Sequence, residues 1–197
     1  MARIGDTART SLKSILEAVL LASGEPLSLE ALATVFNDEE RPSNTEISQS
    51  LKALSDDYAE RGLELKEVAS GFRIQVREDA NPWVARLWEE RPQRYSRALL
   101  ETLSLIAYRQ PITRGDIEEV RGVSVRTNII RTLQEREWIR VVGHRDVPGK
   151  PALFGTTKVF LDYFNLASLD DLPSLAEIKD MGSIEPELEL ETTDGDG

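Results

Sequence analysis

Hydrophobic residues recur in the same order in two stretches of this chain. In each stretch, apolar residues at helical spacing come first, and a proline, an apolar residue and a hydroxyl residue follow. The two stretches align at an offset of 85 residues, so that Ala22 corresponds to Ala107 and Pro26 to Pro111. This internal similarity predicts two structural units built to one design.

The signals for helix starts and ends also occur twice. In a capping box, a hydroxyl and an acidic side chain each accept a hydrogen bond from the other residue's backbone N–H, and this spacing occurs at 43–46 and 113–116. A proline disfavours helical backbone in the residue before it, so we expect Pro26 and Pro111 to end the first helix of each unit. Short second helices are expected over 29–36 and 116–120.

A third amphipathic helix is predicted in each unit, because apolar residues return at spacings of three and four. These residues are Ile47, Leu51, Leu54 and Tyr58 in the first unit and Val125, Ile129, Ile130 and Leu133 in the second. After each of these helices the apolar period changes from 3.6 to 2, which predicts a β-hairpin. The hairpin strands are expected over 63–66 and 72–76, and over 138–142 and 151–154.

Three helices followed by a hairpin, twice over, predict a mainly α protein with small β-hairpins (α+β), in which two winged-helix domains lie in tandem. We expect an N-terminal domain over 1–80, a helical linker over 81–96 and a C-terminal domain over 97–167. Trp83, Leu87 and Trp88 favour helix in the linker. A docking segment over 168–180 and a disordered acidic tail over 181–197 complete the chain.

The composition removes most enzyme classes. No cysteine is present, which excludes disulfides and thiolate metal sites, and His144 is the single histidine. Pro151 follows Gly149 and Lys150 at the place where a phosphate-binding loop needs Ser or Thr. No apolar run approaches the ~20 residues that a membrane helix needs. We therefore expect a cytoplasmic protein that is not an enzyme and binds no cofactor or metal ion.

The net charge of −11 is unevenly distributed. Ten acidic residues and one lysine lie between Ser168 and Gly197, whereas eleven Lys or Arg and seven Asp or Glu lie between Arg97 and Lys158. The acidity therefore belongs mainly to the tail, and the second unit is net basic.

The charge on the third helices bears on DNA binding. The outward face of the first is net negative, because Lys52 lies beside Asp56 and Glu60, and DNA phosphates would repel it. In the second unit the basic flank leaves three interpretations open: solvated ion pairs, a weak and salt-sensitive DNA contact, or a patch for an acidic protein. The candidate residues for a DNA contact are Arg126, Arg131, Arg145 and Lys150.

Several separate motifs stand out in the second half of the chain. The longest are Ala-Leu-Leu-Glu-Thr-Leu at 98–103 and Ile-Ala-Tyr-Arg-Gln-Pro-Ile-Thr-Arg at 106–114. Further motifs follow at 117–123, 131–133, 141–143, 148–151, 155–158, 160–161, 163–164 and 168–173. In this order, the motifs closely resemble those of the ScpB family, the segregation and condensation proteins B. The first half resembles the same family more loosely, at 16–18 and 24–27.

The resemblance implies a non-catalytic subunit of a bacterial condensin-like SMC complex. It implies tandem winged-helix domains, a homodimer formed mainly by the N-terminal domain, and the kleisin ScpA as the direct partner. Through the kleisin, such a subunit acts indirectly on the SMC-type ATPase in chromosome condensation and segregation, which implies a nucleoid-associated protein. The alternative is a DNA-binding transcriptional regulator that uses the second winged helix.

On this resemblance, the C-terminal domain is a major contact for the kleisin. We interpret Tyr108 and Phe164 as packing residues that would anchor a kleisin segment if they were exposed. Gly149, Pro151 and Gly155 are interpreted as residues that shape the wing backbone. The candidate kleisin contacts are Tyr108, Gln110, Pro111, Ile112, Arg121, Val123, Phe160 and Phe164.

Overall fold

The computed structural model describes residues 11–87 and 95–174. The N-terminal unit consists of α1 (Leu12–Ser23), α2 (Leu29–Ala33), α3 (Asn44–Asp57), β1 (Leu63–Val68) and β2 (Gly71–Val76). The two strands are antiparallel, with Leu63 opposite Val76 and Val68 opposite Gly71. The predicted order of three helices and a hairpin is therefore confirmed in the first unit.

Serine side chains begin all three helices of this unit. Ser11, Ser28 and Ser43 each accept a hydrogen bond from a backbone N–H in the first turn. Ser43 and Glu46 form both hydrogen bonds of the predicted capping box. These bonds matter because the first turn of a helix has no carbonyl partners for its own N–H groups.

The first helix ends before the position that the sequence predicted. Gly24, in the left-handed conformation with φ +67°, terminates α1 two residues before Pro26. Glycine has no Cβ and adopts this conformation at little cost, so the helix stops before the proline is reached. In the second unit the prediction is confirmed, because Gln110 leaves the helical conformation directly before Pro111.

The core of the N-terminal unit lies between its three helices and the hairpin. The whole predicted stripe of α3 is buried. Tyr58 also donates a hydrogen bond from its hydroxyl to Glu17 Oε1 at 2.6 Å. Its burial and the neighbouring carboxylate raise the pKa of Tyr58 to about 12. The buried residues that pack together in this cluster are Leu16, Leu20, Leu32, Ala33, Ile47, Leu51, Leu54 and Tyr58.

Short helical turns follow β2. They are two 3-10 turns, at Glu78–Ala80 and Ala85–Leu87, and between them a single α-helical turn, α4 (Asn81–Val84). Helix in the described part of the predicted linker is therefore limited to single turns. Trp88 and the predicted acidic tail over 181–197 lie outside the described residues.

The second unit has the same order with one additional strand. Its elements are α5 (Arg97–Arg109), β3 (Ile112–Thr113), α6 (Arg114–Arg121), α7 (Thr127–Glu135), β4 (Ile139–His144), β5 (Ala152–Thr156) and α8 (Lys158–Tyr163). The strands form one antiparallel sheet in the order β3-β5-β4. Helices with small antiparallel sheets in two winged-helix units confirm the predicted α+β class.

The C-terminal core is built on α5, α6 and α7. Thr113 and Asp116 form both bonds of the predicted capping box that begins α6. Val125 lies before the first residue of α7 rather than within the helix, yet its side chain is fully buried. Trp138, which is 2 % exposed, packs edge-on against Tyr95 and also contacts the ring of Phe164.

The hairpin of the first unit touches the end of α8 in the second. Asp162 accepts hydrogen bonds from the backbone N and the Oγ of Ser70, at 2.9 and 2.6 Å. Arg73 Nη2 donates to the carbonyl of Asp162 at 3.0 Å, and the N–H of Ala69 donates to the carbonyl of Leu166 at 2.9 Å. The two units therefore share a polar contact at the β1–β2 turn.

Candidate partner-binding groove

An open groove of about 890 Å³ runs along α5, on the side away from the core. We call it the α5 groove. Leu99, Leu103 and Ile106 point from α5 into the core, which leaves a second helical face free. The groove is lined by Tyr95, Arg97, Leu100, Glu101, Ser104, Leu105, Tyr108, Arg109, Arg121 and Val123.

The floor of the α5 groove is apolar. Leu100 on α5 is 41 % exposed, and Val123, which follows the end of α6, is 57 % exposed. Leu105 is partly buried against the core and continues the same surface. Exposed apolar side chains that share a concave surface are typical of sites for another chain.

The rim of the groove is charged. Glu101 accepts hydrogen bonds from Arg97 at 2.8 Å and from Arg121 at 2.9 Å. These two guanidinium groups hold the pKa of Glu101 below its usual value. Arg121 lines the groove, and its side chain is mostly buried, with 11 % exposed. Its Nε is buried and has no hydrogen-bond partner within the described part of the chain.

The structure brings three of the predicted kleisin contacts together in this groove: Tyr108, Arg121 and Val123. Phe164 lies outside it and packs on Trp138 and Phe160. Pro111 is exposed after the end of α5.

The remaining predicted contacts have structural partners. Ile112 and Phe160 are each 4 % exposed and belong to the hydrophobic core, so their side chains do not reach a partner. Gln110 Oε1 accepts from the backbone N–H of Thr156 at 2.7 Å, and Gln110 Nε2 donates to the carbonyl of Ala107 at 3.2 Å. The side chain of Gln110 thus ties the end of α5 to β5.

The segment after α8 folds back onto α5. The Tyr108 hydroxyl donates to the carbonyl of Pro173 at 2.6 Å, and Leu172 packs against the core. A 3-10 turn at Leu169–Asp171 precedes this contact and is capped by Ser168. Tyr108 is therefore a packing residue on one side and a groove residue on the other.

The candidate DNA contacts are dispersed and partly neutralised. Arg131 pairs with Glu135 at 2.8 Å on the outer face of α7. Arg145 pairs with Asp116 through both of its terminal nitrogens, at 2.9 and 2.7 Å. The Arg145 guanidinium, followed by the bonds from Thr113, holds the pKa of Asp116 well below its usual range.

The two other candidate cations lie apart. Arg126 is exposed at the start of α7, and Lys150 is exposed in the wing loop with φ +38°. Local ion pairs, one of the three interpretations of the basic flank, account for Arg131 and Arg145.

Several groove residues were not predicted from sequence. A helical wheel of α5 places Arg97, Leu100 and Glu101 on the same side as the predicted Tyr108, away from Leu103 and the other core residues. Tyr95 precedes α5, so a helical wheel does not include it. Its place in the groove depends on its contact with Trp138, which helical periodicity does not predict. Within 11–87 and 95–174, no three His, Cys, Asp or Glu side chains could hold a metal ion.

The comparison with protein families gives a match over most of the chain. Residues 14–175 match the family described as segregation and condensation complex subunit ScpB. The chain belongs to the ScpB family. A curated relative from Coxiella burnetii, named segregation and condensation protein B homolog, is 61 % identical over 173 residues, which are 88 % of this chain and 83 % of that protein.

Solved structures of ScpB proteins also match. ScpB from Mycobacterium tuberculosis is 34 % identical, with a TM-score of 0.37 over 82 % of this chain and 99 % of that one. A structure described as a dimer of the ScpB N-terminal domain complexed with ScpA peptide is 30 % identical, with a TM-score of 0.35 over 39 % of this chain and 93 % of that one. The winged-helix assignment of this ScpB-family chain rests on its own elements.

Within the described residues, no helix is both long enough and apolar enough to cross a bilayer.

Proposed function

We propose that this chain is a non-catalytic subunit of an SMC–kleisin complex, in which it forms a homodimer and binds the kleisin ScpA directly. Membership of the ScpB family, over residues 14–175, carries this proposal. The protein acts in the cytoplasm in association with the nucleoid, and it reaches the SMC-type ATPase through the kleisin.

The α5 groove is the proposed kleisin site of the C-terminal domain, which we assign to residues 97–167. Its apolar floor at Leu100 and Val123 offers surface that a partner would remove from water. Arg97 and Arg121 place two guanidinium groups around Glu101 at its rim, which favours a partner that carries carboxylates.

We assign dimerisation to the N-terminal domain, over 1–80, and the connection between the domains to 81–96. Leu21 on α1 and Val35, which follows the end of α2, are about half exposed, although α1 and α2 both contribute to the N-terminal core. Apolar surface of this kind favours association with a second copy. The net negative outward face of α3 makes the same domain unsuited to DNA.

The DNA-binding alternative is less well supported than kleisin binding. Recognition helices use several free cations for phosphate contacts. Arg131 on α7 is paired with Glu135, and Arg145 in the wing loop is paired with Asp116. Of the four candidate DNA contacts, this leaves Arg126 at the start of α7 and Lys150 in the wing loop, which lie on separate elements.

The groove is tested by placing a charge on its floor. We expect Val123→Arg to weaken ScpA binding by about tenfold or more, because a bound segment would bury Val123 and the loss of such an interface contact costs more than ~1 kcal/mol. Val159→Arg on α8 is the matched control, since Val159 is also about half exposed but lies outside the groove. Isothermal titration with purified ScpA measures both affinities.

Mass measurement of the protein alone and with ScpA tests the assembly. A dimer that gains mass with ScpA is expected. A monomer that does not bind ScpA would contradict the proposed function. Equal affinities of the Val123→Arg and Val159→Arg variants for ScpA would contradict the α5 groove as the binding site.

A further inference from the structure

The last described residues already run along α5. Pro173 is hydrogen-bonded to Tyr108, and with Leu172 it borders a smaller depression of about 430 Å³ on the same helix. Leu100, Ser104 and Tyr108 line both this depression and the α5 groove. The chain therefore leaves Ser174 directly beside the mouth of the groove.

The next residues have the composition that such a groove would take. Residues 175–180 read Leu-Ala-Glu-Ile-Lys-Asp, with Leu175 and Ile178 as the large apolar side chains. From 175 to 197 the sequence contains eight acidic residues and one lysine. The segment thus offers apolar anchors followed by a strongly negative stretch.

The α5 groove is complementary in both respects. Its floor at Leu100, Leu105 and Val123 is apolar. Its rim has three arginines, Arg97, Arg109 and Arg121, against one carboxylate, Glu101. A net positive rim around an apolar floor favours an acidic segment with apolar anchors.

We propose that residues 175–180 occupy the α5 groove of their own chain when no partner is bound. The lengths agree: six extended residues span ~20 Å, and the stretch of α5 from Arg97 to Tyr108 rises by ~17 Å. Because the segment is tethered at Pro173, its local concentration at the groove is high and weak contacts suffice to hold it there.

The consequence rests on the proposed function. If the kleisin binds the same groove, residues 175–180 compete with it, and the apparent affinity for ScpA is reduced by the fraction of chains in which the groove is covered. The segment would then act as a built-in competitor of the partner.

The absence of cysteine allows a direct test in the full chain. Ser104→Cys places one thiol in the groove, and its rate of reaction with a thiol reagent reports how much of the time the groove is open. We expect the thiol to react about tenfold faster when the chain also carries Leu175→Asp and Ile178→Asp, because the tethered segment no longer stays bound. Leu188→Asp with Leu190→Asp is the matched control in the same tail and should leave the rate unchanged.

A second thiol controls for general effects on the fold. Ser55→Cys on the exposed side of α3 should react at one rate in all these chains. Equal rates at Ser104→Cys with and without the 175/178 substitutions would overturn the inference, whether or not ScpA binds. Protection that depends on protein concentration and survives those substitutions would also overturn it, because a second copy would then be the occupant.

The same chains separate this inference from the proposed function. The 175/178 substitutions should raise the affinity for ScpA by a similar factor of about ten, since they free the groove. If the tail protects the thiol but ScpA binds no variant, the proposed function fails and the inference stands.

Discussion

At the scale of single residues, the base of the second wing depends on one glutamine. Gln110 Oε1 accepts a hydrogen bond from the backbone N–H of Thr156, and Gln110 Nε2 donates one to the Thr156 hydroxyl at 2.9 Å. Gly155 lies under this clamp, where a Cβ would come within 2.9 Å of Gln110 Oε1 and 3.0 Å of Val142 Cγ1. The interpretation of Gly155 as a residue that shapes the backbone therefore has a steric basis.

Adding one methyl group at Gly155 should be costly. We expect Gly155→Ala to lower the free energy of unfolding by about 1–3 kcal/mol, because the new Cβ must displace Gln110 Oε1 and so break its hydrogen bond with the backbone N–H of Thr156. Chemical denaturation measures the change. Gly143→Ala in the facing strand is the control, since nothing lies within 4 Å of its added Cβ, and a loss of equal size there would contradict the argument.

Asp116 has two roles at the start of α6. Its carboxylate accepts the backbone N–H of Thr113 at 3.0 Å and both terminal nitrogens of Arg145. Arg145 first, and then Thr113, lower its pKa. A carboxyl whose pKa is lower in the folded state stabilises the fold above its unfolded pKa of ~3.9, and this stabilisation is lost as the pH falls towards the folded value.

Asp116→Ala should therefore destabilise the protein in a pH-dependent manner. At pH 7 we expect a loss of about 1–2 kcal/mol in the free energy of unfolding, the usual size for a helix cap with a partly exposed ion pair. The difference from the unmodified protein should shrink as the pH is lowered below ~4. Denaturation at several pH values measures it. Glu135→Ala, at the exposed pair with Arg131, should cost less than ~0.5 kcal/mol, and a pH-independent loss at Asp116 would refute the assignment.

At the scale of elements, the sequence predicted the features that depend on residues close together along the chain. The stripe of α3 and the two capping boxes are set by spacing alone, and all are present in the structure. The end of α1 was misplaced because two terminators lie close together, and Gly24 acts before Pro26.

The α5 groove could not be predicted from helical periodicity. Periodicity finds the face of α5 that enters the core, but whether the opposite face forms a groove depends on Val123 and Tyr95, which arrive from other elements. Similarity to a family does not separate core from contact residues either. Ile112 and Phe160 belong to the resembling motifs and are buried, whereas Leu100 lies in the same motifs and is exposed.

At the scale of the whole molecule, the described residues show hydrogen bonds between the hairpin of the first unit and the end of α8 in the second. Asp162 lies in the last turn of α8, and Ser70 lies between β1 and β2. One carboxylate therefore links an element of the second unit to the hairpin of the first, and each unit has its own hydrophobic core. Neither core needs this contact for its own packing. The arrangement of the units therefore depends on a few polar bonds, and it is expected to change more readily than either fold.

Asp162→Ala should loosen the arrangement of the units without unfolding either one. Hydrogen bonds to a charged acceptor contribute about 1.5–3 kcal/mol, and this substitution removes two of them. We expect the amides of Ser70 and Ala69 to exchange faster, because both donate to the second unit, while amides inside α3 and α5 keep their protection. Hydrogen exchange read by mass spectrometry or NMR measures this. Asp170→Ala removes the same charge from an exposed site in the same unit and should leave the exchange of Ser70 unchanged. Unchanged exchange at Ser70 in Asp162→Ala would contradict the role of this carboxylate and leave the hydrogen bonds of Arg73 and Ala69 as the contacts that hold the units together.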